Sequence, residues 1–249
     1  MDLQLKGKCA VVTGASRGIG KAIAQALACE GVDVVIAARG MDALAQAAEE
    51  IAKNSGRRIV PITADMGEDA SVAALVRDAT GVLGRVDILV NNAATMGGSG
   101  GRFPKISTGQ LMSDANIKVA GYLRAAQAAA PAMIEGKWGR IINIGGISVR
   151  RAGAMATALR NAAIAAMSGN LAEQLGRHGI TVNTVHPGTT RVGPDDHALE
   201  KYGIEEGTIG RAVRAEEIAW LVTVLASPLS AAVNGESFLS GGLRGAIRY

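Results

Sequence analysis

The sequence predicts an α/β fold, a single doubly wound domain around a seven-stranded parallel sheet. Three observations predict it. Short β-branched runs alternate with alanine-rich helical stretches, the pattern of βαβ units. Most of the strand segments are continuous apolar runs and not alternating ones, as expected when helices cover both faces of a sheet. A glycine-rich turn follows the first strand at once and opens the first helix.

The elements follow in order. Lys8 to Thr13 is the first strand, with a helix from about Gly18 to Glu30. Val32 to Ala37 is the second strand and Asp42 to Asn54 its helix. Ile59 to Ala64 and Asp87 to Asn91 are strands three and four, separated by a helix over roughly Ala70 to Gly81. A long helix spans about Thr108 to Ile134, and Pro131, lacking the N–H that a helix interior needs, should end or kink it. Arg140 to Ile144 and Ile180 to Val185 are strands five and six, with a helix over Ala154 to Leu175 between them. A helix from Glu216 to Ala226 stops at Ser227-Pro228, and Ser237 to Leu239 is a short last strand. Nothing divides 1–249 into two domains. Gly97 to Gly101 and Thr189 to Gly210 break the rhythm beyond the carboxyl ends of strands, where open parallel sheets bind ligands. Residues 189–210 are the expected substrate lid; Met96 to Phe103 is either a gate or an ordinary surface loop.

Composition narrows the function. The 249 residues are 48% apolar but 3% aromatic, so Ala, Val, Ile and Leu must fill the core, and 33 glycines imply close backbone approach. Cys9 and Cys29 lie in apolar segments and are expected to be small buried hydrophobes. His178, His186 and His197 lack the spacing of a metal site. The net charge of +4, without a basic stripe or clustered aromatics, argues against nucleic acid. Local arginines at 150–151, 211 and 214 suit an anionic cofactor or substrate. No apolar run reaches the ~20 residues that span a bilayer. These features predict a soluble, cytoplasmic protein with no metal and no membrane partner.

The strongest local signal is Thr13-Gly14-Ala15-Ser16-Arg17-Gly18-Ile19-Gly20 between strand and helix. Such glycines permit a tight turn and let a pyrophosphate sit over the helix amino end, the Rossmann-type arrangement. The second strand ends Ile36-Ala37-Ala38-Arg39, with no acid to accept hydrogen bonds from a ribose as in NAD sites. Arg39, helped by Arg17, would instead pair with the 2′-phosphate of NADP; two solvated surface arginines are the alternative. Asp65 is either an adenine ligand or a turn cap. Asn91-Asn92-Ala93 ends the fourth strand, where asparagine can brace a turn beside a ligand.

Together these pieces resemble the short-chain dehydrogenase/reductase family over essentially the whole chain. The matching stretches also include Asn116 in the long helix, Gly139-Arg140-Ile141-Ile142-Asn143-Ile144, and Gly179-Ile180-Thr181-Val182-Asn183 leading to Pro187-Gly188. Arg39 and the missing acid favour NADP(H) over NAD(H), and the resemblance implies a homotetramer or homodimer. It extends the cofactor surface from Gly14, Ser16, Arg17, Gly18, Ile19, Gly20, Arg39 and Asp65 to Met66, Asn92, Ala93, Asn161, Pro187, Gly188 and Thr190. Family members carry a serine after the fifth strand, a tyrosine and a lysine four residues apart on the next helix, and an asparagine on the preceding long helix. Asn116 matches the asparagine. The serine position falls on Gly146, the tyrosine on Thr157 and the lysine on Asn161. Tyr122, Tyr202 and Tyr249 are the only tyrosines, and no lysine lies between Lys137 and Lys201.

A threonine hydroxyl is a poor base, and loss of general acid–base help costs ~10²–10⁴ in rate. Asn116, Ser148, Thr157 and Asn161 are the candidate catalytic residues, with Ser148 the nearest substitute donor. Arg150, Arg151, Arg160 and His186 are further candidates, each with a structural reading beside it. Three functions follow: an NADP(H)-dependent oxidoreductase on a small carbonyl or alcohol, anionic substrates included, with a nonstandard proton donor; an inactive binding subunit, with an active paralogue as partner; or a non-redox lyase, isomerase or hydrolase.

Overall fold

The computed structural model describes residues 1–95, 103–150, 155–193 and 196–242, apart from the side chains of Arg150 and Glu206. Met96 to Arg102, Arg151 and Asp195 lie outside them, and so does most of the loop read as a gate. The chain runs β1 (Cys9–Thr13), α1 (Gly18–Cys29), β2 (Asp33–Ala38), α2 (Met41–Ser55), β3 (Ile59–Thr63), α3 (Asp69–Leu83) and β4 (Ile88–Asn91). It continues with α4 (Thr108–Ala115), a π-helical segment (Asn116–Ala120), α5 (Gly121–Glu135), β5 (Gly139–Ile144) and α6 (Met155–Leu175). Then come β6 (Ile180–Pro187), β7 (Thr190–Arg191), α7 (His197–Glu206), β8 (Val213–Arg214), α8 (Ala215–Ala226) and β9 (Ser237–Ser240).

Seven strands form one sheet in the order β3-β2-β1-β4-β5-β6-β9, every pair parallel. The order reverses between β1 and β4, which opens a crevice at their carboxyl ends. Burial is complete along β1, β4, β5 and β6, as the unbroken apolar runs predict. One core gathers side chains of α1, α2 and α8, including Ile23, Leu44 and Ile218. A second gathers those of α3, α5 and α6, including Leu75, Met133 and Ala172. The two layers of helix sandwich the sheet.

Four expectations change. Pro131 does not end its helix, because it lies on the solvent face, where the carbonyl of exposed Gln127 can bond water while Ala129 and Met133 stay packed. The long helix is interrupted earlier, by the π segment at Asn116. Cys9 is buried, but Cys29 is exposed on the last turn of α1, next to Gln25. The segment 189–210 is not irregular: β7 pairs with β8 in a separate two-stranded sheet, and α7 lies between them. Among the described residues, no helix is long and apolar enough to cross a membrane.

Candidate active site

Two clusters face the crevice. At the β1–β4 end, Gly14 and Gly18 take positive φ (65° and 59°), which other residues adopt only with strain. A Cβ at Gly14 would lie 2.8 Å from Ala93 Cα, and one at Gly20 would collide with the Gly14 carbonyl oxygen. These two glycines pack the turn tightly against β4 and α1. In front of Gly18, by contrast, a Cβ would meet only Val192, at 3.4 Å. The turn at Gly18 thus presents backbone that only the Val192 side chain approaches. α1 begins at Arg17 with no side-chain cap and no acid in its first turn, so its leading N–H groups stay available for an anion. Arg17 and Arg39 are exposed and make no ion pair among the described residues.

Asn92 braces this turn from β4. Its Nδ2 donates to the carbonyls of Thr13 and Gly14 (3.0 Å each), and Thr13 Oγ1 accepts from the N–H of Asn92 and of Ala93 (3.0 and 3.2 Å). The amide of Asn92 therefore shapes the ligand surface through backbone and not by reaching out. Asp65 Oδ1 accepts from the Gly67 N–H at 2.8 Å, holding a turn. Met66 is buried in the core, so its side chain is not part of the crevice surface. On the β6 side, the Gly188 N–H donates to Ser240, and Thr190 Oγ1 donates to the Gly188 carbonyl.

The second cluster lies at the ends of β5 and α6. Lys118, on the π segment, donates from Nζ to the Gly145 carbonyl (2.8 Å) and to Asn161 Oδ1 (3.1 Å). Asn161 Nδ2 donates in turn to Ser148 Oγ at 2.9 Å. A Cβ at Gly146 would stand 2.7 Å from Asn161 Nδ2, so the bare glycine leaves room for the amide. Lys118 is 4% exposed. Burial, reinforced by the like charge of Arg160, lowers its ammonium to about 7. Arg160 itself pairs with buried Asp114 at 3.3 Å. Tyr122 donates its hydroxyl to the Ile144 carbonyl, and burial pushes the phenol far above its ordinary range.

A family model described as enoyl-(acyl carrier protein) reductase matches residues 14–243. A 3-oxoacyl-(acyl-carrier-protein) reductase of Pseudomonas aeruginosa is 34% identical over 97% of this chain and 99% of its own. The chain belongs to the short-chain dehydrogenase/reductase family. Among solved structures, L-sorbose reductase from Gluconobacter frateurii, complexed with NADPH and L-sorbose, matches with TM-score 0.92 and 28% identity over 99% of this chain and 100% of that one. A short-chain dehydrogenase from Burkholderia cenocepacia in complex with NADP matches with TM-score 0.87 and 34% identity over 96% of this chain and 98% of that one.

Within this short-chain dehydrogenase/reductase scaffold, Ser148 and Asn161 come together as direct partners. Thr157 is half-buried on α6 and makes no hydrogen bond among the described residues. Asn116 does not join them. Its Nδ2 donates to the Gly67 carbonyl and its Oδ1 accepts from Arg124, because the widened π turn aims it at the β3–α3 loop. The Arg124 guanidinium also bonds the Asn116 carbonyl and pairs with Asp69. His186 is buried beneath the Gly145-Gly146 turn, with Nδ1 3.2 Å from the Gly146 backbone, and braces it. Arg211 and Arg214 both pair with Glu217, so they do not form the free anion site their clustering suggested. Lys118 is the residue that sequence reasoning missed. A signal was present: Asp114, Lys118, Tyr122, Ala125, Ala129 and Met133 recur at helical spacing, which puts a lysine on the buried stripe.

Proposed function

We propose that the protein is an NADP(H)-dependent oxidoreductase that interconverts a small carbonyl compound and its alcohol, by a proton route without the tyrosine–lysine pair of its family. The Gly14–Gly20 turn carries this reading. Its positive-φ glycines and uncapped helix start fit a diphosphate, and exposed Arg17 and Arg39 fit a 2′-phosphate beside it. The NADPH and NADP complexes of the two structural relatives support the same choice.

When bound, the dinucleotide supplies a hydride to a carbonyl carbon or takes one from an alcohol. Gly14, Ser16, Gly18, Ile19 and Gly20 hold its diphosphate through backbone N–H groups, and Arg17 and Arg39 hold the phosphate that distinguishes NADP. Asp65, the Met66 backbone and Asn92-Ala93 line the adenine side; Asn161, Pro187, Gly188 and Thr190 line the other end. Ser148 and Thr157 present hydroxyls where charge develops on substrate oxygen. Neither is a strong base, so the part open to either is hydrogen bonding to that oxygen, and Ser148, held by Asn161, is the better placed for it. The segment 189–210, with α7, closes over the substrate. Trp220, 67% exposed on α8, supports assembly as a homodimer or homotetramer.

Calorimetry with NADPH and NADH, followed by turnover with a panel of small ketones, aldehydes and alcohols, tests the reading. Tighter binding of NADPH and its consumption with a matching yield of alcohol are expected. Absence of heat from both dinucleotides would refute it. Tight binding without turnover would favour a regulatory subunit, and product formed with the dinucleotide unchanged would favour a lyase or isomerase.

A further inference from the structure

Asp114, Lys118 and Tyr122 stand four residues apart and are all buried, so the long helix turns a polar stripe toward α6. Among the described residues, the charged and titratable groups around that stripe have these partners. Arg160, from α6, is paired with Asp114. The Tyr122 hydroxyl is given to Ile144 at the end of β5, and His186, from β6, supports the Gly146 backbone. Lys118 makes no ion pair among the described residues. Its charge is spent on two neutral acceptors, Gly145 O and Asn161 Oδ1.

The hydrogen bonds run in one direction. Lys118 donates to Asn161, Asn161 donates to Ser148, and no described residue accepts the Ser148 hydroxyl proton. A chain of donors headed by a cation strengthens the last donor in it. The family carries its lysine on the helix after the fifth strand and its asparagine on the long helix before it. Here the side chains that meet across the same gap are Asn161 on α6 and Lys118 on the long helix. The family's lysine position holds Asn161 here, and the ammonium reaches the cluster from Lys118, two residues beyond the retained Asn116.

We propose that Lys118 is the charged positioning residue of the active site: acting through Asn161, it makes the Ser148 hydroxyl the hydrogen-bond donor to the substrate oxygen. The proposal rests on the oxidoreductase reading. In the reductive direction the carbonyl carbon takes the hydride and the π pair moves to oxygen. The Ser148 O–H stabilises that oxygen until it takes a proton from solvent water, and the hydroxide left behind passes to the buffer. No proton has to cross the Asn161 amide. The lowered Lys118 ammonium means that the charge heading the chain is lost as pH rises through about 7, so reduction slows on that limb.

The test compares the full-length wild-type protein with K118M, S148A, K118M/S148A, K118N and the double variant K118N/N161K. It reads kcat and KM against pH for NADPH-dependent reduction, NADPH affinity by calorimetry, and lysine Cε resonances of the ligand-free protein by NMR. One resonance titrating near neutrality, absent from K118M, should share its midpoint with the alkaline fall in wild-type kcat. K118M should lose ~10²-fold in kcat with NADPH affinity kept, and the K118M/S148A double variant should lose little more. K118N/N161K, which returns lysine to α6, should regain rate over K118N alone and shows that the site tolerates exchange if K118M fails to fold. A Lys118 resonance at the ordinary lysine position overturns the proposal. So does a K118M variant with the wild-type pH profile and a kcat within about twofold of wild type. Wild-type protein that binds NADPH but reduces no carbonyl refutes the oxidoreductase reading and this role with it, an outcome distinct from the other two.

Discussion

Around Gly14–Gly20 the groups that face the crevice are backbone N–H groups set by glycine; around Gly146 they are side chains contributed by elements far apart in the chain. The first surface is local. Its turn, helix start and bracing strand depend on residues whose type dictates conformation, and the glycines cannot be exchanged without moving backbone. The second depends on Lys118 meeting Asn161 across 43 positions of sequence. Hydrogen-bonding side chains can be traded between facing helices while the cluster survives, so this end can diverge where the first cannot. Chemistry borne by backbone is constrained by geometry, and chemistry borne by side chains is constrained by what sits opposite.

The sharpest way to break this contrast is Gly20→Val. Its Cβ would collide with the Gly14 carbonyl oxygen, a backbone atom that cannot swing aside. We expect a loss of ~3 kcal/mol or more in urea denaturation, with NADPH binding lost as well. A variant as stable as wild type with normal affinity would show that the turn is not held by steric fit.

Lys118 gives the next effect, and its sign can be worked out. Its folded-state ammonium is lowered from 10.5 to about 7. Below about 7 both folded and unfolded chains carry the proton, and Lys118 adds no pH dependence to stability. Between about 7 and 10.5 the unfolded chain binds a proton that the folded one does not, so stability rises with pH in that window. Wild type minus K118M, compared by denaturation at pH 7 and pH 9, should therefore grow more favourable toward pH 9 by ~1 kcal/mol or more. A difference that stays flat would mean that Lys118 is not buried as described.

The contrast also explains what could be seen in sequence. The seven strands, the crevice and the glycine turn were legible because apolar runs and φ > 0 positions are local properties. The turn-bracing role of Asn92 followed from its place at a strand end. The site at α6 was legible only in part: Gly146, Thr157 and Asn161 could be located by counting, but their partner could not. Asn116 opens a π turn that residue type does not reveal, and its side chain bonds Gly67 and Arg124. Helix α7 escaped notice because the residues of His197–Glu206 have little apolar periodicity, Gly203 being a buried position without a side chain. Cys29 is exposed where burial was expected, since burial at the edge of an element is decided by what packs there.

Arg39→Ala probes the cofactor end with side chain instead of backbone, and its effect should be smaller. A charge-assisted bond to phosphate contributes ~1.5–3 kcal/mol, so NADPH affinity should fall by ~10–100-fold while NADH affinity barely changes. Equal losses for both dinucleotides would remove the phosphate role from Arg39 and leave it a solvated surface residue.

Thr157→Ala should have the least effect. The residue occupies the tyrosine position of the family, yet an alkyl hydroxyl holds its proton too firmly to serve as a base, and Thr157 is tied to no described neighbour that would change this. Ser148, by contrast, is bonded to Asn161 in a chain that begins at a cation. If the substrate oxygen is served by Ser148, removing the Thr157 hydroxyl leaves kcat within about twofold. A fall of ~10²-fold, the loss expected when an oxyanion donor is deleted, would transfer that task to Thr157. The Lys118–Asn161 contact would then be a feature of packing, and the tyrosine position would have kept its part in the chemistry with a different hydroxyl.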